Sequence, residues 1–253
     1  MRAGGGKLRL ANHTQKSLIT IRCGGIKNTM KTIARWVLGA ALAAFPMELS
    51  MSGILADLSA DQQKTVLSGE EIVVTEAVKG HVWPRVSIYR IVNASPEQVA
   101  AVFFDYTTAK EYVPNVFKSD ISKVISPCVI EVDYSLDIPI LPDEHYTARN
   151  SLTARDGSSY AVDWLLLRAA QTKASVGSLH IEPREGKSLI RYRCLTTPGS
   201  SMAGLLRAKA VSQMSDTVAA IAKQVETRRE KDPAGLAKQV DALHKATAAE
   251  AGN

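Results

Sequence analysis

The side chains that most often carry acid–base or metal chemistry are few in this sequence and widely separated. His81, His145 and His180 have no partner at the spacing of a metal site or a catalytic motif. The sequence contains no glycine-rich phosphate loop and no serine nucleophile elbow. His145 follows Pro142-Asp143-Glu144, a pattern that predicts a solvated histidine where a strand starts. The residue pattern therefore predicts no catalytic residue, no metal site and no cofactor, and it favours binding over catalysis.

The three cysteines give no stronger indication of chemistry. Cys23, Cys128 and Cys194 lack the spacing of metal ligands. If the protein is exported, Cys128 and Cys194 can form a disulfide, since the compartment is oxidising. Nothing in the sequence requires this bond, so their pairing is left open.

Aromatic residues in alternating strands suggest a different kind of site. Within residues 160–167, alternation places Trp164 and Leu166 on one face and Asp163 on the other. The ring of a tyrosine or tryptophan packs on an apolar ligand, and its polar atom fixes a polar head. The alternative, that these rings fill a packed core, is equally consistent with the pattern. The candidate ligand-binding residues are Phe103, Tyr112, Tyr134, Tyr146, Trp164, Leu166, Tyr192, Met214 and Val218.

The excess positive charge is confined to the N-terminal segment. The formal net charge of the chain is +6. Residues 1–29 contain no acidic residue and account for the whole excess through Arg2, Lys7, Arg9, Lys16, Arg22 and Lys27. The rest of the chain carries equal numbers of basic and acidic groups and has no bias that would attract phosphates, so we expect no nucleic-acid partner.

The residues after Met30 have the pattern of a secretory signal peptide. Lys31 and Arg35 precede an apolar stretch of residues 36–45, and small residues follow it. This stretch is too short to span a bilayer permanently. The alternative is an ordinary N-terminal helix.

Export sets the expected limits of the mature chain. We interpret residues 1–29 as a non-native upstream leader, with Met30 as the true start. Residues 30–56 are interpreted as the signal peptide, with cleavage after Ala44 or Ala56. The expected location of the product is periplasmic or secreted.

The elements that must position the aromatic residues follow in a simple order. A short helix is predicted at 58–67, and strands at 71–75 and 86–92. Ser95, Pro96 and Gln98 then form the capping box of a helix, and a second short helix follows at 109–112. Six further strands are predicted in an antiparallel meander with one wet and one dry face, at 116–125, 129–138, 145–154, 160–167, 173–181 and 188–196.

The last large element is a predicted helix that ends near Arg229. Its apolar stripe steps by three and four residues through Val211, Met214, Val218, Ile221 and Val225. A helix of this kind is on the order of 42 Å long and can cross a sheet. Asp232-Pro233 breaks it, and residues 230–253 are rich in Ala and Lys, which predicts a tail or a frayed helix.

The sequence resembles the START-like helix-grip (SRPBCC) superfamily, most closely its coenzyme-Q-binding and polyketide cyclase branch. The resemblance rests on RIVNASPEQV at 90–99, FDY at 104–106 and EYVPNV at 111–116, and it covers residues 70–229. It implies an α+β helix-grip fold, in which a curved antiparallel sheet wraps around a long C-terminal helix and two short helices follow the first strand. Residues 57–69 then form a short N-terminal segment before this domain.

The resemblance implies a binding function. We expect an exported, non-catalytic protein that holds a lipid, quinone or isoprenoid-like molecule in the cavity of the fold. Two alternatives stay open, a cyclase or aromatase-type enzyme and an interaction domain whose cavity is filled. A transient membrane contact, the oligomeric state and the identity of the ligand are also left open.

Overall fold

A computed structural model describes residues 53–138, 142–156, 158–199 and 201–252, which lie within one compact unit, Leu49–Asn253. The predicted leader of 1–29 lies outside the described residues. The predicted signal peptide of 30–56 also does, apart from residues 53–56. Within the described residues, no helix combines the length and apolar character needed to cross a membrane.

Eight antiparallel strands of the described residues form one open, curved sheet. They lie in the order β1-β2-β8-β7-β6-β5-β4-β3, with β1 and β3 at the two edges. Register shifts in the pairs β3–β4, β5–β6 and β7–β8 help the sheet to bend. The strands are β1 Ile72–Glu76, β2 Arg85–Val92, β3 Val116–Ser126, β4 Val129–Leu136, β5 Glu144–Arg155, β6 Ser159–Ala169, β7 Thr172–Arg184 and β8 Lys187–Pro198.

The helices lie before, between and after the strands. The helix predicted after Ser95 forms, and the Ser95 amide donates to Gln98 Oε1 at 3.1 Å. This helix and the next follow β2 and precede the meander. The α-helices are α1 Ala60–Leu67, α2 Pro96–Phe104, α3 Ala109–Tyr112, α4 Arg207–Lys231 and α5 Pro233–Ala251, and 3-10 turns form at Ile54–Asp57, Tyr106–Thr108 and Ser201–Leu206. The predicted α+β helix-grip architecture is confirmed.

The main core lies between the concave face of the sheet and the helices. α2 packs against β6, β7 and β8, while α4 packs against α2 and β2. The stripe of α4 faces this core as predicted: Val218, Ile221 and Val225 are buried, and Val211 and Met214 are partly buried. The apolar face of α4 is thus used for packing along most of its length.

The C-terminal segment, predicted as a tail or a frayed helix, is helical in its described residues: Glu230 and Lys231 end α4, and Pro233–Ala251 form α5. Asp232 caps the first turn of α5 and accepts a hydrogen bond from the Gly235 amide at 2.9 Å. Leu236 and Leu243 are buried in the main core, and α5 packs against α2. Apolar residues recur here at helical spacing, but alanines occur on all sides of the helix, so the sequence does not clearly separate an apolar face from a polar one. The helix is stable because α2 offers a surface on which to bury that face.

The short N-terminal segment covers part of the convex face of the sheet. Ile54, Leu55 and Val66 are buried with Tyr89 and Leu189 in a second apolar cluster. The Ile54 amide donates to the Glu182 carboxylate of β7 at 3.0 Å. Residues from Ile54 onward are therefore an integral part of the folded unit.

Candidate functional site

Aromatic rings from four strands share the concave face of the sheet. Tyr134 of β4 and Tyr146 of β5 are paired across the strands, with ring centroids 4.9 Å apart in a stacked arrangement. Trp164 of β6 and Tyr192 of β8 lie 5.0 Å apart. Because residues two apart on a strand share one face, these rings point towards the helices.

Two rings at the end of α2 connect these pairs into one series. Phe103 lies 6.3 Å from Trp164, and Tyr106 lies 6.0 Å from Phe103 and 6.4 Å from Tyr134. The edge-to-face geometry of Tyr106 on its neighbours is the favoured arrangement for aromatic pairs. The aromatic row, as we call this series, consists of Tyr146, Tyr134, Tyr106, Phe103, Trp164 and Tyr192.

A glycine on β7 allows Trp164 to lie flat on the sheet. Gly177 is the cross-strand partner of Trp164. A Cβ atom at Gly177 would lie 2.2 Å from Cζ2 of the indole, a distance that atoms cannot adopt. A side chain at this position would therefore force the indole to move away from β7.

The strand tyrosines of the row lie deep in the protein, yet they are not sealed. Burial raises the pKa of all three strand tyrosines above the ordinary tyrosine value. The effect is large for Tyr134 and Tyr192, and Tyr146 is shifted in the same direction. The three side chains nevertheless keep some exposed surface. The three tyrosines thus combine a deep position on the concave face with surface that another molecule can contact.

The other candidate residues from the sequence fall into different surroundings. Met214 and Tyr112 are partly buried against the main core, and the Tyr112 hydroxyl donates to the Val102 carbonyl oxygen at 3.5 Å. Leu166 is half-buried on β6, on the same face as Trp164. Val218 has no exposed surface. It lies in the main core. For all of these residues, ligand contact stays a prediction.

Tyr106 is a site residue that the sequence pattern did not single out. It recurs with Phe103 on the apolar face of the predicted helix, which suggests simple packing. The structure shows that its hydroxyl is buried and has no hydrogen-bond partner among the described residues. No local signal could have revealed this, because it depends on which strands meet the ring.

A pocket of about 290 Å³ combines polar residues with two members of the aromatic row. It is lined by Lys118, Asp133, Tyr134, Ser135, His145, Tyr146, Thr147, Arg168 and Ala169. Ser135 Oγ and His145 Nδ1 are 2.8 Å apart, and Asp133 accepts hydrogen bonds from Thr147 at 2.5 Å and Arg168 at 3.2 Å. The His145 side chain is exposed, as predicted. Because Asp133 accepts hydrogen bonds from Thr147 and Arg168, it does not extend the Ser135–His145 pair into a catalytic triad.

The remaining reactive groups lie apart from one another. In the described residues, no group of three or more His, Cys, Asp and Glu side chains could hold a metal ion. Cys128 and Cys194 are both buried free thiols. Burial lowers the pKa of His180 to about 4, and the neighbouring Arg191 adds to this effect.

Comparison with solved structures places this arrangement among known folds. The STAR-related lipid transfer protein (fragment 25-204) from Xanthomonas axonopodis superimposes with a TM-score of 0.56 and is 14% identical; the match covers 62% of this chain and 93% of that one. Human STARD10 superimposes with a TM-score of 0.51 and is 16% identical, with 64% of this chain and 74% of that chain covered. No protein-family model and no curated protein sequence matches the chain. The structure has the START-like helix-grip fold.

Proposed function

We propose that this protein binds a hydrophobic small molecule, of the lipid, quinone or isoprenoid class, in the hollow beneath α2 and α4, without changing it chemically. The observation that carries this proposal is the aromatic row, whose strand tyrosines combine a deep position with open surface. Ligand pockets are typically concave, mostly apolar and furnished with a few polar groups. Phenol hydroxyls and one indole N–H supply such groups here. The Xanthomonas protein of the same fold is named for lipid transfer, which supports the proposal.

We also propose that the protein is exported and that cleavage leaves Ile54 in the mature chain. The pattern of residues 30–45 supports export. Ile54 and Leu55 are buried in the cluster on the convex face, so cleavage after Ala56 would remove two core side chains. Cleavage after Ala44 preserves both. Sequencing of the N-terminus of the secreted or periplasmic protein tests this, and a mature chain that starts after Ala56 or retains residues 1–29 would contradict it.

The binding proposal is tested with a neutral apolar fluorophore such as Nile red, together with native mass spectrometry before and after organic extraction. We expect Nile red to bind with enhanced emission, and we expect extraction to remove a bound mass. If the extracted protein loses no mass and does not bind Nile red, the hollow is filled by side chains and the proposal is wrong.

A pair of variants separates a lining residue from a packing residue. W164L should weaken Nile red binding and change the melting temperature little, because the indole faces the hollow. Y89L is the matched control, since Tyr89 is only 2% exposed in the convex cluster, away from the hollow. It should lower the free energy of unfolding by roughly 2 kcal/mol or more and leave binding unchanged. A loss of stability in W164L equal to that of Y89L would indicate a packed core around Trp164.

A further inference from the structure

The edge of the sheet at β3 carries several exposed apolar side chains in one short stretch. All residues from 120 to 125 are exposed, and Ile121, Val124 and Ile125 are 41%, 65% and 45% exposed. In the described residues β3 pairs only with β4, so the backbone groups on its outer side meet no other strand. An exposed apolar edge strand is a template for pairing with another chain. We call residues 120–125 the edge segment.

A register shift within the edge segment sorts its side chains by character. Asp120 and Lys123 are paired with residues that lie two apart on β4, and so are Ile121 and Val124. Because residues two apart on a strand share one face, Asp120 and Lys123 lie on one face of the sheet, and Ile121 and Val124 lie on the other. Without the shift, residues three apart would lie on opposite faces. The edge segment therefore presents a pair of opposite charges on one face and an apolar pair on the other.

This arrangement complements itself under two-fold symmetry. Two edge segments can pair antiparallel about an axis that passes midway between Ser122 and Lys123. Ile121 then lies directly opposite Val124 of the second copy, and the two-fold axis repeats this contact. On the other face, Asp120 lies diagonal to Lys123 of the second copy, within reach of a long side chain. Both faces of the edge segment are thus matched in the same register.

The charges of the edge segment favour a second copy over an unrelated strand. A lysine on an edge strand usually discourages pairing, because its charge has no partner on the incoming strand. Asp120 supplies that partner for Lys123. Within its own chain, Asp120 makes two long ion pairs, with Lys110 Nζ at 3.8 Å and with Lys118 Nζ at 3.7 Å. Exposed pairs of this kind contribute little to stability, so Asp120 can turn to Lys123 of a second copy at low cost.

We propose that two copies of this chain associate through the edge segment, so that β3 of one copy pairs antiparallel with β3 of the other and joins the two sheets. This inference does not depend on ligand binding. A segment of six residues is on the order of 20 Å long, which gives an interface below the standard size. The dimer is therefore reversible, with a Kd of about 100 µM.

Sedimentation equilibrium of the purified protein between about 10 µM and about 1 mM tests the dimer. V124K should weaken association at least about tenfold, because it replaces an apolar contact with a charge at both ends of the interface. V176K is the matched control, since Val176 is 51% exposed on β7, away from both edges of the sheet, and it should associate like the parent. A parent that stays monomeric at every concentration would overturn the proposal, and so would equal association of V124K and the parent.

A charge reversal tests the register. K123E places a carboxylate next to Asp120 of the second copy and should weaken association about fivefold. The double variant D120K/K123E exchanges the two charges and should return the Kd to within about twofold of the parent value. Asp120 and Lys123 are both exposed, so the melting temperature of each variant should stay close to that of the parent. Unchanged association of K123E, or no recovery in the double variant, would show that β3 does not pair with a second copy in this way.

Discussion

The burial of Val218 makes a charged substitution at this position a severe test of the helix packing. Val218 has no exposed surface and lies in the main core, on the stripe of α4 that faces the sheet. In V218D, the loss of valine burial costs about 2 kcal/mol. A carboxyl group buried in an apolar site has its pKa raised by roughly three units, which adds about 4 kcal/mol at pH 7. The sum of about 6 kcal/mol approaches the whole stability of a typical domain.

The pH dependence of this penalty follows from the sign of the shift. The introduced carboxyl group has a pKa of about 3.9 in the unfolded chain and a higher one in the folded chain. Between these two values the folded state binds more protons, so the stability of V218D falls as pH rises. Relative to the parent, V218D should therefore be least destabilised near pH 4 and most destabilised above pH 7. Burial alone, without charge, would give a penalty independent of pH.

Urea denaturation followed by far-UV circular dichroism at pH 4 and pH 7 measures both effects. S212D is the matched control, because Ser212 is exposed on the same helix, and its stability should change by less than about 0.5 kcal/mol. V218A should lower the free energy of unfolding by about 2 kcal/mol, and it provides a folded variant if V218D does not fold. Equal stabilities of V218D, S212D and the parent would show that α4 does not pack on the sheet through this face.

Two further predictions concern residues whose roles emerged from the structure. G177A should lower the free energy of unfolding by about 1–3 kcal/mol, because the added methyl group takes the position of the indole. The same displacement should change the emission spectrum of Trp164, and an unchanged spectrum would contradict this geometry. In urea denaturation, L243A should show a free energy of unfolding about 2–4 kcal/mol lower than that of the parent, because Leu243 is buried in the main core. K245A, at an exposed position of the same helix, should change stability by less than about 0.5 kcal/mol, and equal values for the two variants would show that α5 does not pack.

The elements of this protein could be predicted because their signals are local. Alternation within each strand and steps of three and four residues along α4 depend only on the geometry of one segment. The capping box at Ser95 likewise joins residues that are three apart in the chain. These patterns gave the strands of the meander, α2 and the buried stripe of α4, and the motif residues at 90–116 indicated how such elements assemble.

The sequence was least informative where the signal was weak or the partner was distant. Residues 230–253 contain a regular apolar spacing, but among many alanines it does not stand out, and only the surface of α2 makes α5 a packed helix. Val218 lies on the apolar face of α4 and is buried, and its assignment to the ligand site stays a prediction. A periodic pattern shows which face of an element is apolar, but it does not show whether that face meets a ligand or another side chain.

The sequence by itself determined the order of the elements and the face of each strand that carries the aromatic rings, because both follow from periodicity within a segment. Only the tertiary structure decided which of those rings meet. Tyr106 follows α2, while Tyr134 belongs to a strand that starts after the turn at the end of β3. Their contact depends on the curvature of the sheet and the position of α2 over it. The unpaired hydroxyl of Tyr106 and the open surface of Tyr134 are properties of that packing, which no single segment of the chain encodes.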